Sequence, residues 1–218
     1  MNKRVKAKFH YNENFSELTE EIASKLAEGN VVGWFQGRME FGPRALGNRS
    51  ILGDSRNPEM QKKLNLKIKY REGFRPFAPS VLAGRSKDYF DLKEASPYML
   101  IVAPVNESRR KILPDNYYDL SLWERLYCER SDLQSITHLD FSARIQTVHK
   151  ETNPKYWELI NTFKKETDCS LVINTSFNVR GEPIVCTPRD ALRSFLKGNV
   201  DYLLLNNVLV GSVQTNLK

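Results

Sequence analysis

The loop FGPRALGNRS, residues 41–50, places Arg44 and Arg49 among glycines directly after an apolar segment, and Arg38 precedes it closely. Glycine lets a backbone approach a ligand and adopt positive φ. Arginine presents a planar fork of donors that matches phosphate or carboxylate oxygens. One arginine here would favour a solvated surface turn. Three arginines in one glycine-rich loop favour an anion-binding site.

A second cationic stretch is KIKYREGFRPFAPS, residues 67–80. Pro76 and Pro79 stiffen its backbone, which reduces the entropy that binding must remove. A solvated basic face is the alternative, but Phe74 and Phe77 favour a segment that is packed against the protein. The cations of this stretch are Lys67, Lys69, Arg71 and Arg75.

The third stretch is INTSFNVRGEP, residues 173–183, in which several polar residues lie at the end of a continuously apolar strand. Open α/β sheets hold ligands beyond the carboxyl ends of their strands, and amides and hydroxyls can donate to phosphate or ribose oxygens. A turn in which these side chains bind their own backbone is an equally good interpretation of this stretch alone. The residues concerned are Asn174, Thr175, Ser176 and Asn178.

Several familiar reactive motifs are missing. The sequence has no GxxxxGK[ST] loop, no paired-histidine metal motif and no GxSxG elbow. Its three cysteines lack CxxC spacing, which argues against a zinc site or a disulfide framework, and Cys186 is predicted to be a core residue. The expected chemistry is therefore charge neutralisation and positioning, not covalent catalysis. The formal net charge of +7 favours anionic partners without choosing among them.

The elements that would position these loops alternate between strands and helices, which predicts an α/β or α+β domain with one mixed sheet. A first helix is predicted after a Ser16 cap, with Leu18, Ile22 and Leu26 on one face. The predicted strands cover residues 30–36, 50–54, 77–83, 98–104, 143–149, 170–176, 183–186, 201–205 and 208–210.

Three further helices are expected. Pro58 suits the first turn of a helix over residues 58–69. Asn153–Pro154 begins one that is predicted to bury Trp157, Ile160 and Phe163. A capping box formed by Thr187 and Asp190 opens the last.

Residues 104–138 mix charged and aromatic side chains and show no sustained helical or strand periodicity. We expect a partly helical insert that packs beside a site or against another domain, outside the core. The whole chain, 1–218, is otherwise expected to be one domain. With no apolar run after its basic start, and no long apolar segment, we expect a cytoplasmic protein without a signal peptide and without a membrane partner.

In this order, the stretches FGPRALGNRSIL, KYREGFRPFAPSVL, ARIQTV and LVINTSFNVRGEPIVCTPRDAL resemble the C-terminal domain of the O-carbamoyltransferase family, which includes nodulation and antibiotic-tailoring enzymes. The resemblance runs from about Val31 to Val210. It departs at 104–138 and in HLDFSAR, where Phe141 replaces a small residue, commonly glycine.

This resemblance implies a YrdC-like fold, a twisted open mixed α/β sheet flanked by helices, with a basic concave face. It also implies a domain that uses ATP, Mg²⁺ carried by the nucleotide, and carbamoyl phosphate to form carbamoyl-adenylate and pyrophosphate. In the family a separate N-terminal, Kae1-like domain holds a metal and transfers the carbamoyl group to a hydroxyl. That domain has no room in this chain, so an incomplete transferase, the adenylating half, is expected, with no metal ligands of its own.

The resemblance also implies the site residues. Lys69 and Arg75 are assigned to the phosphates, and with Arg44 they form the expected catalytic set; Arg44 and Arg144 are assigned to carbamoyl phosphate. If these cations are exposed, Lys69→Met should leave the melting temperature unchanged or raised. The ATP and substrate pocket implied by the family comprises Arg44, Lys69, Arg75, Arg144, Asn174 and Ser176, with Arg49, Asn178 and Arg180 of second rank.

Two other functions are open at this point. A basic concave sheet can bind RNA, although the cations lie in glycine- and proline-rich loops and no RNP-like motif occurs, so no nucleic acid is expected. A salt titration separates an RNA-binding module from the adenylating domain, because RNA binding weakens steeply with salt. The other is a non-catalytic nucleotide sensor, which pyrophosphate release would exclude.

Overall fold

The computed structural model describes residues 8–211. Residues 1–7 and 212–218 lie outside this range, and with them most of the basic start for which no signal peptide is expected. Among the described residues, no helix has the length and apolar character needed to cross a membrane.

Nine strands and five α-helices make up the described chain. The strands are β1 Phe9–Tyr11, β2 Val32–Phe35, β3 Arg49–Gly53, β4 Ala78–Leu82, β5 Ile101–Pro104, β6 Ser142–Val148, β7 Leu171–Ser176, β8 Tyr202–Leu205 and β9 Val208–Val210. The helices are α1 Phe15–Ala27, α2 Met60–Leu64, α3 Leu122–Tyr127, α4 Pro154–Thr167 and α5 Pro188–Lys197, and α2 continues directly into a π-helix, Asn65–Lys69.

The strands form one open mixed sheet in the order β1-β9-β8-β2-β3-β7-β4-β6-β5. β2 is parallel to β8 and β4 is parallel to β6, whereas every other pair of neighbours is antiparallel. The predicted mixed sheet flanked by helices is confirmed.

The topology explains why distant loops meet. β7 lies between β3 and β4 and is antiparallel to both, so Ser176 pairs with Ser50 and Asn174 pairs with Ala78. The end of β7 therefore adjoins the starts of β3 and β4. β6 runs parallel to β4, which places Arg144 at the same end of the sheet.

Helices α1 and α4 pack on each other and against the sheet. Trp34 on β2 lies between them, 6.2 Å from the Phe15 ring and 6.2 Å from the Tyr156 ring, measured between centroids. The predicted buried face of α1 is confirmed, but Asn14, not Ser16, caps the helix: the Asn14 side chain accepts from the Ser16 amide at 3.1 Å.

Other boundaries differ from the predictions. Helix α2 begins at Met60, two residues after Pro58, and residues 183–186 are not a strand. Val185 is buried there, whereas Cys186 is exposed, so its predicted place in the core is wrong. In α4, Ile160 and Phe163 are buried as predicted and Tyr156 is buried with them, whereas Trp157 is only half-buried. The short edge strand β1 gave no periodic signal.

The segment 104–138 is partly helical, as expected, and contains α3. Trp123 is exposed, but Val105, Leu133 and Ile136 are fully buried in the main hydrophobic core. The expectation that this segment stays outside the core is therefore wrong for those three residues.

Phe141 has φ of 62°, in the left-handed region that glycine adopts without strain. The positive φ explains why a small residue, commonly glycine, is expected at this position. The Arg110 guanidinium lies over the Phe141 ring, with Cζ 5.1 Å from the ring centroid.

Candidate functional site

Residues 37–48 connect β2 to β3 without regular structure, and a single carboxylate holds their last part in place. Oε1 of Glu40 accepts from the amides of Leu46, Asn48 and Arg49 at 2.7, 2.8 and 3.2 Å. The other oxygen, Oε2, is buried without a partner among the described residues. The loop that carries Arg44 is therefore organised around Glu40.

Gly47 anchors the same loop to the core. Its φ is +106°, and a Cβ at this position would lie 2.1 Å from Cδ1 of Tyr156. The Trp34 indole donates to the Gly47 carbonyl at 2.8 Å. Only glycine satisfies both the backbone angle and the close approach.

Arg49 is a structural residue, in contrast to its second-rank place in the predicted site. It is 4% exposed, and its guanidinium donates to carbonyls of Gln36, Gly37 and Cys186, among others. It also stacks on Phe35, with Cζ 3.5 Å from the ring centroid. Arg49 thus fastens the 37–48 loop to residues 177–187 and lines neither of the cavities described below.

A buried polar network lies under the end of the sheet. The Asn174 amide donates to the Ala45 carbonyl at 3.0 Å and to Oε1 of Gln146 at 2.9 Å. Gln146 in turn accepts from Ser80 and donates to the Leu46 carbonyl. Asn174 Oδ1 is buried with no described partner. The network joins β4, β6 and β7 to the loop of Arg44.

The π-helix sets the position of Lys69 and of the segment after it. π-turns are rare and frequently lie at functional sites. Asn65 donates to the carbonyls of Gly73 and Arg75 at 3.1 and 2.8 Å, and its Oδ1 accepts from Nε of Arg71 at 2.7 Å. The Gln61 amide reaches the same carbonyls. Two buried amides therefore fix the backbone between Arg71 and Arg75.

Two adjacent cavities open where these loops meet. The larger measures about 290 Å³ and is lined by Lys69, Arg71, Glu72, Arg75, Thr175, Ser176, Asn178, Val179, Arg180 and Gly181. The smaller measures about 150 Å³ and is lined by Pro43, Arg44, Ala45, Arg71, Pro76, Phe77, Ala78, Met99, Arg144, Asn174, Thr175 and Ser176. Arg71, Thr175 and Ser176 belong to both.

Both cavities are strongly cationic. Burial, and then the nearby Arg44, lower the pKa of Arg144. Burial, and then Arg75, lower the pKa of Arg71. Within residues 8–211, Arg44, Arg71 and Arg144 form no salt bridge. Like charges that repel each other in the free protein are stabilised by an anion between them.

Lys69 is 7% exposed, so the expectation of an exposed cation is wrong. Its Nζ donates to the Ser176 carbonyl and to the carbonyl and Oδ1 of Asn178, the last two at 3.0 and 2.8 Å. Burial and, after it, Arg71 lower the pKa of Lys69 to about 7. In this structure Lys69 holds the 176–178 loop and also lines the larger cavity.

The structure brings together all six residues assigned from the resemblance. Lys69 and Arg75 line the larger cavity, Arg44, Arg144 and Asn174 line the smaller, and Ser176 lines both, while Asn178 and Arg180 line the larger. The prediction missed Arg71, which lies at the junction. Its position in the KYREGFR cluster was the available signal, but spacing alone did not show which cations of that cluster face inward.

Of the residues that line the two cavities, only Glu72 carries a carboxylate. Across the described range, no group of three His, Cys, Asp or Glu side chains could hold a metal ion.

The structure is an open mixed α/β sheet with two arginine-lined cavities at one strand end, a surface whose guanidinium donors match phosphate or carboxylate oxygens. The family model described as "Carbamoyltransferase C-terminus" matches residues 23–212. The chain therefore belongs to the C-terminal domain of the O-carbamoyltransferase family.

Curated relatives agree. The chain is 61% identical over 194 residues to an uncharacterised protein of Synechocystis, covering 89% of this chain and 32% of the relative. It is 41% identical over 201 residues to nodulation protein NolNO of Sinorhizobium fredii, covering 91% and 27%. It is 36% identical over 166 residues to 3'-hydroxymethylcephem-O-carbamoyltransferase of Amycolatopsis lactamdurans, covering 76% and 28%. The chain thus spans about a third or less of each relative.

Two solved structures share the fold. Sua5 of P. abyssi, complexed with L-threonine, superposes with a TM-score of 0.57 at 11% identity, covering 88% of this chain and 47% of Sua5. Full-length HypF, in a phosphate- and nucleotide-bound form, superposes with a TM-score of 0.52 at 17% identity, covering 94% of this chain and 23% of HypF. The fold is YrdC-like, as predicted.

Proposed function

We propose that this domain binds ATP and carbamoyl phosphate in the two adjacent cavities and joins them into carbamoyl-adenylate. The observation that carries the proposal is the pair of cationic cavities that share Arg71, Thr175 and Ser176. Two anionic substrates that must react need neighbouring sites with common walls, because reacting atoms have to approach within about 3–3.5 Å.

The assignment of substrates follows cavity size. The larger cavity, with Lys69, Arg71, Arg75 and Arg180, suits the triphosphate, and the smaller, with Arg44 and Arg144, suits carbamoyl phosphate. Together the two substrates bring about six negative charges at neutral pH. The cations of the cavities offset that charge, which would otherwise oppose attack on phosphorus.

Atom balance restricts the chemistry. A carbamoyl-adenylate has a carbamate oxygen bonded to the α-phosphorus, so carbamoyl phosphate must first lose its phosphoryl group to water. The carbamate oxygen then attacks the α-phosphorus and pyrophosphate leaves. The sum is carbamoyl phosphate, ATP and water giving carbamoyl-adenylate, phosphate and pyrophosphate. Mg²⁺ would enter with the nucleotide and be held mainly by phosphate oxygens, since Glu72 is the single carboxylate of the cavities.

The acceptor belongs to a later step. Because the chain covers about a third or less of its curated relatives, we propose that another domain transfers the carbamoyl group to a hydroxyl. The name of the cephem relative, an O-carbamoyltransferase of a hydroxymethyl group, supports a hydroxyl acceptor.

Two measurements test the proposal. Calorimetry is expected to detect binding of ATP with Mg²⁺ and of carbamoyl phosphate, each weakened in Arg71→Met. A coupled assay is expected to detect pyrophosphate only when both substrates are present. Absence of binding by both ligands at millimolar concentration contradicts the proposal, whereas ATP binding without any effect of carbamoyl phosphate favours a nucleotide sensor.

A further inference from the structure

A third cavity, larger than either arginine-lined one, measures about 380 Å³. Its volume falls in the range of roughly 300–1,000 Å³ typical of small-molecule sites. Pro76 lines both this cavity and the smaller arginine-lined cavity. The residues around it are Gln61, Phe74, Pro76, Leu126, Arg130, Thr137, His138, Leu139 and Asp140.

Most of its wall is apolar. Phe74, Pro76, Leu126 and Leu139 contribute carbon surface, and Phe74 and Leu139 are 54% and 51% exposed. Two large apolar side chains that border one cavity and face water lose unfavourable hydration when a ligand covers them. A flat apolar body fits this wall better than a compact, highly charged ion does.

The polar groups of the cavity include donors and acceptors that nothing described satisfies. Arg130 is 1% exposed and donates to backbone carbonyls, those of Cys128 and Thr137 among them, yet its Nε is buried without a partner. The half-buried His138 ring has no hydrogen bond within residues 8–211, and burial lowers its pKa, so the neutral ring offers one donor and one acceptor.

Asp140 adds a negative charge at the same place. Its Oδ1 accepts from the amide and hydroxyl of Ser142, and these bonds lower its pKa, which leaves a carboxylate with Oδ2 available at neutral pH. Asp140 disfavours an anionic ligand. A ligand edge that accepts a hydrogen bond from Arg130 and donates one to Asp140 or His138 is complementary to these three side chains.

We propose that this cavity binds a planar heteroaromatic ring that carries a donor and an acceptor on one edge. Such a ring can come from two sources. It is either the base of the nucleotide whose phosphates lie in the arginine-lined cavities, or a separate nucleoside. The first source rests on the function proposed above; the ring site itself does not.

Adenosine is a suitable probe because it has the ring and no phosphate. Saturation-transfer NMR and calorimetry are expected to detect its binding to the protein. Leu139→Trp, which fills the cavity from an exposed position, is expected to weaken binding at least tenfold, and Phe74→Ala is expected to weaken it by removing one wall. The matched control is Ile112→Trp, at a 98% exposed site that does not line the cavity, and it is expected to bind adenosine like the native chain.

Inorganic tripolyphosphate separates the two sources. If ATP displaces adenosine and binds more tightly than adenosine or tripolyphosphate alone, the ring is the base of the nucleotide. If adenosine remains bound at saturating ATP, the site serves a separate nucleoside. Failure of tripolyphosphate to bind contradicts the arginine-lined anion site but leaves the adenosine result valid. The ring site is refuted if millimolar adenosine does not bind, or if Leu139→Trp and Phe74→Ala bind it as well as the control does.

Discussion

Arg71 lines both arginine-lined cavities, and it is the residue whose loss should affect both ligands. Arg71→Met keeps most of the side-chain bulk but removes the cation and the hydrogen bond from Nε to Oδ1 of Asn65. We expect ATP and carbamoyl phosphate each to bind more weakly by about 1.5–3 kcal/mol, or one to two decades, the value of a charge-assisted hydrogen bond. Calorimetry on the variant measures both affinities.

The control for Arg71 is Lys111→Met, because Lys111 pairs with Glu129 and lines none of the described cavities. It should bind both ligands like the native protein. Equal losses in the two variants would mean diffuse electrostatic attraction in place of a defined site.

Lys69 has a structural task that its sequence context did not reveal. Its ammonium donates to the 176–178 loop from a buried position. Lys69→Met removes one of two donors to the Ser176 carbonyl and to Asn178 Oδ1, and it leaves the Asn178 carbonyl without a described donor. Unsatisfied buried acceptors cost about 1–3 kcal/mol. We therefore expect a lower melting temperature, together with weaker ATP binding. Scanning calorimetry that shows an unchanged melting temperature would contradict this role.

The lowered pKa of Lys69 predicts proton uptake on binding. In the free protein the pKa is about 7, so at pH 8 the amine is largely neutral. A phosphate nearby favours the ammonium and raises the pKa, so ATP binding should take up a proton at pH 8 and almost none at pH 6, where the group is already charged. Affinity for ATP should consequently fall as pH rises above 7.

Calorimetry at pH 8 in two buffers of different ionisation enthalpy measures that proton. The same titration of Lys69→Met subtracts protons that belong to the nucleotide itself. If the native protein and Lys69→Met take up protons equally, Lys69 does not titrate on binding.

At the scale of elements, the 37–48 loop is held by one side chain. Glu40→Ala removes the acceptor of three amides and should loosen the loop, so affinity for carbamoyl phosphate should fall by more than affinity for ATP. Glu40→Gln keeps a carbonyl oxygen at the same place and should recover most of the loss. Calorimetry with both ligands tests this difference; equal losses of the two affinities would show that Glu40 supports the whole domain.

The elements also show where sequence reasoning succeeds. Glycine, arginine and terminal polar residues identified three loops that the structure brings together around the two arginine-lined cavities, and the capping box of α5 is confirmed. Patterns of residue type did not reveal the π-helix, because it differs from an α-helix by one extra residue per turn and has the same polar composition. They also gave no sign that Arg49 turns inward to bind carbonyls while Arg44, five residues earlier, remains exposed. Such choices depend on the register of β3 against β2 and β7 and on tertiary contacts.

At the scale of the whole molecule, the net charge of +7 leaves non-specific RNA binding to be tested. Phosphodiester binding by spread-out lysines and arginines releases counterions, and its logarithmic salt slope reports the number of phosphates, at about 0.7 for each in a single strand. We expect weak RNA binding that is lost by physiological salt and is insensitive to Arg71→Met. Fluorescence anisotropy with a labelled oligonucleotide measures the slope. Tight, Arg71-dependent binding at physiological salt would favour the RNA module.

The two ends of the described chain lie side by side. Phe9 pairs with Val210, and the Gly211 amide donates to the Lys8 carbonyl at 2.9 Å. The start and the finish of the domain therefore leave from one point at the rim of the sheet, five strands away from β7. The path of the described chain therefore nearly closes on itself, because its first and last strands are neighbours. Further chain joined before residue 8, after residue 211, or at both ends would connect at this rim of the sheet, away from the strand ends that carry the arginine-lined cavities.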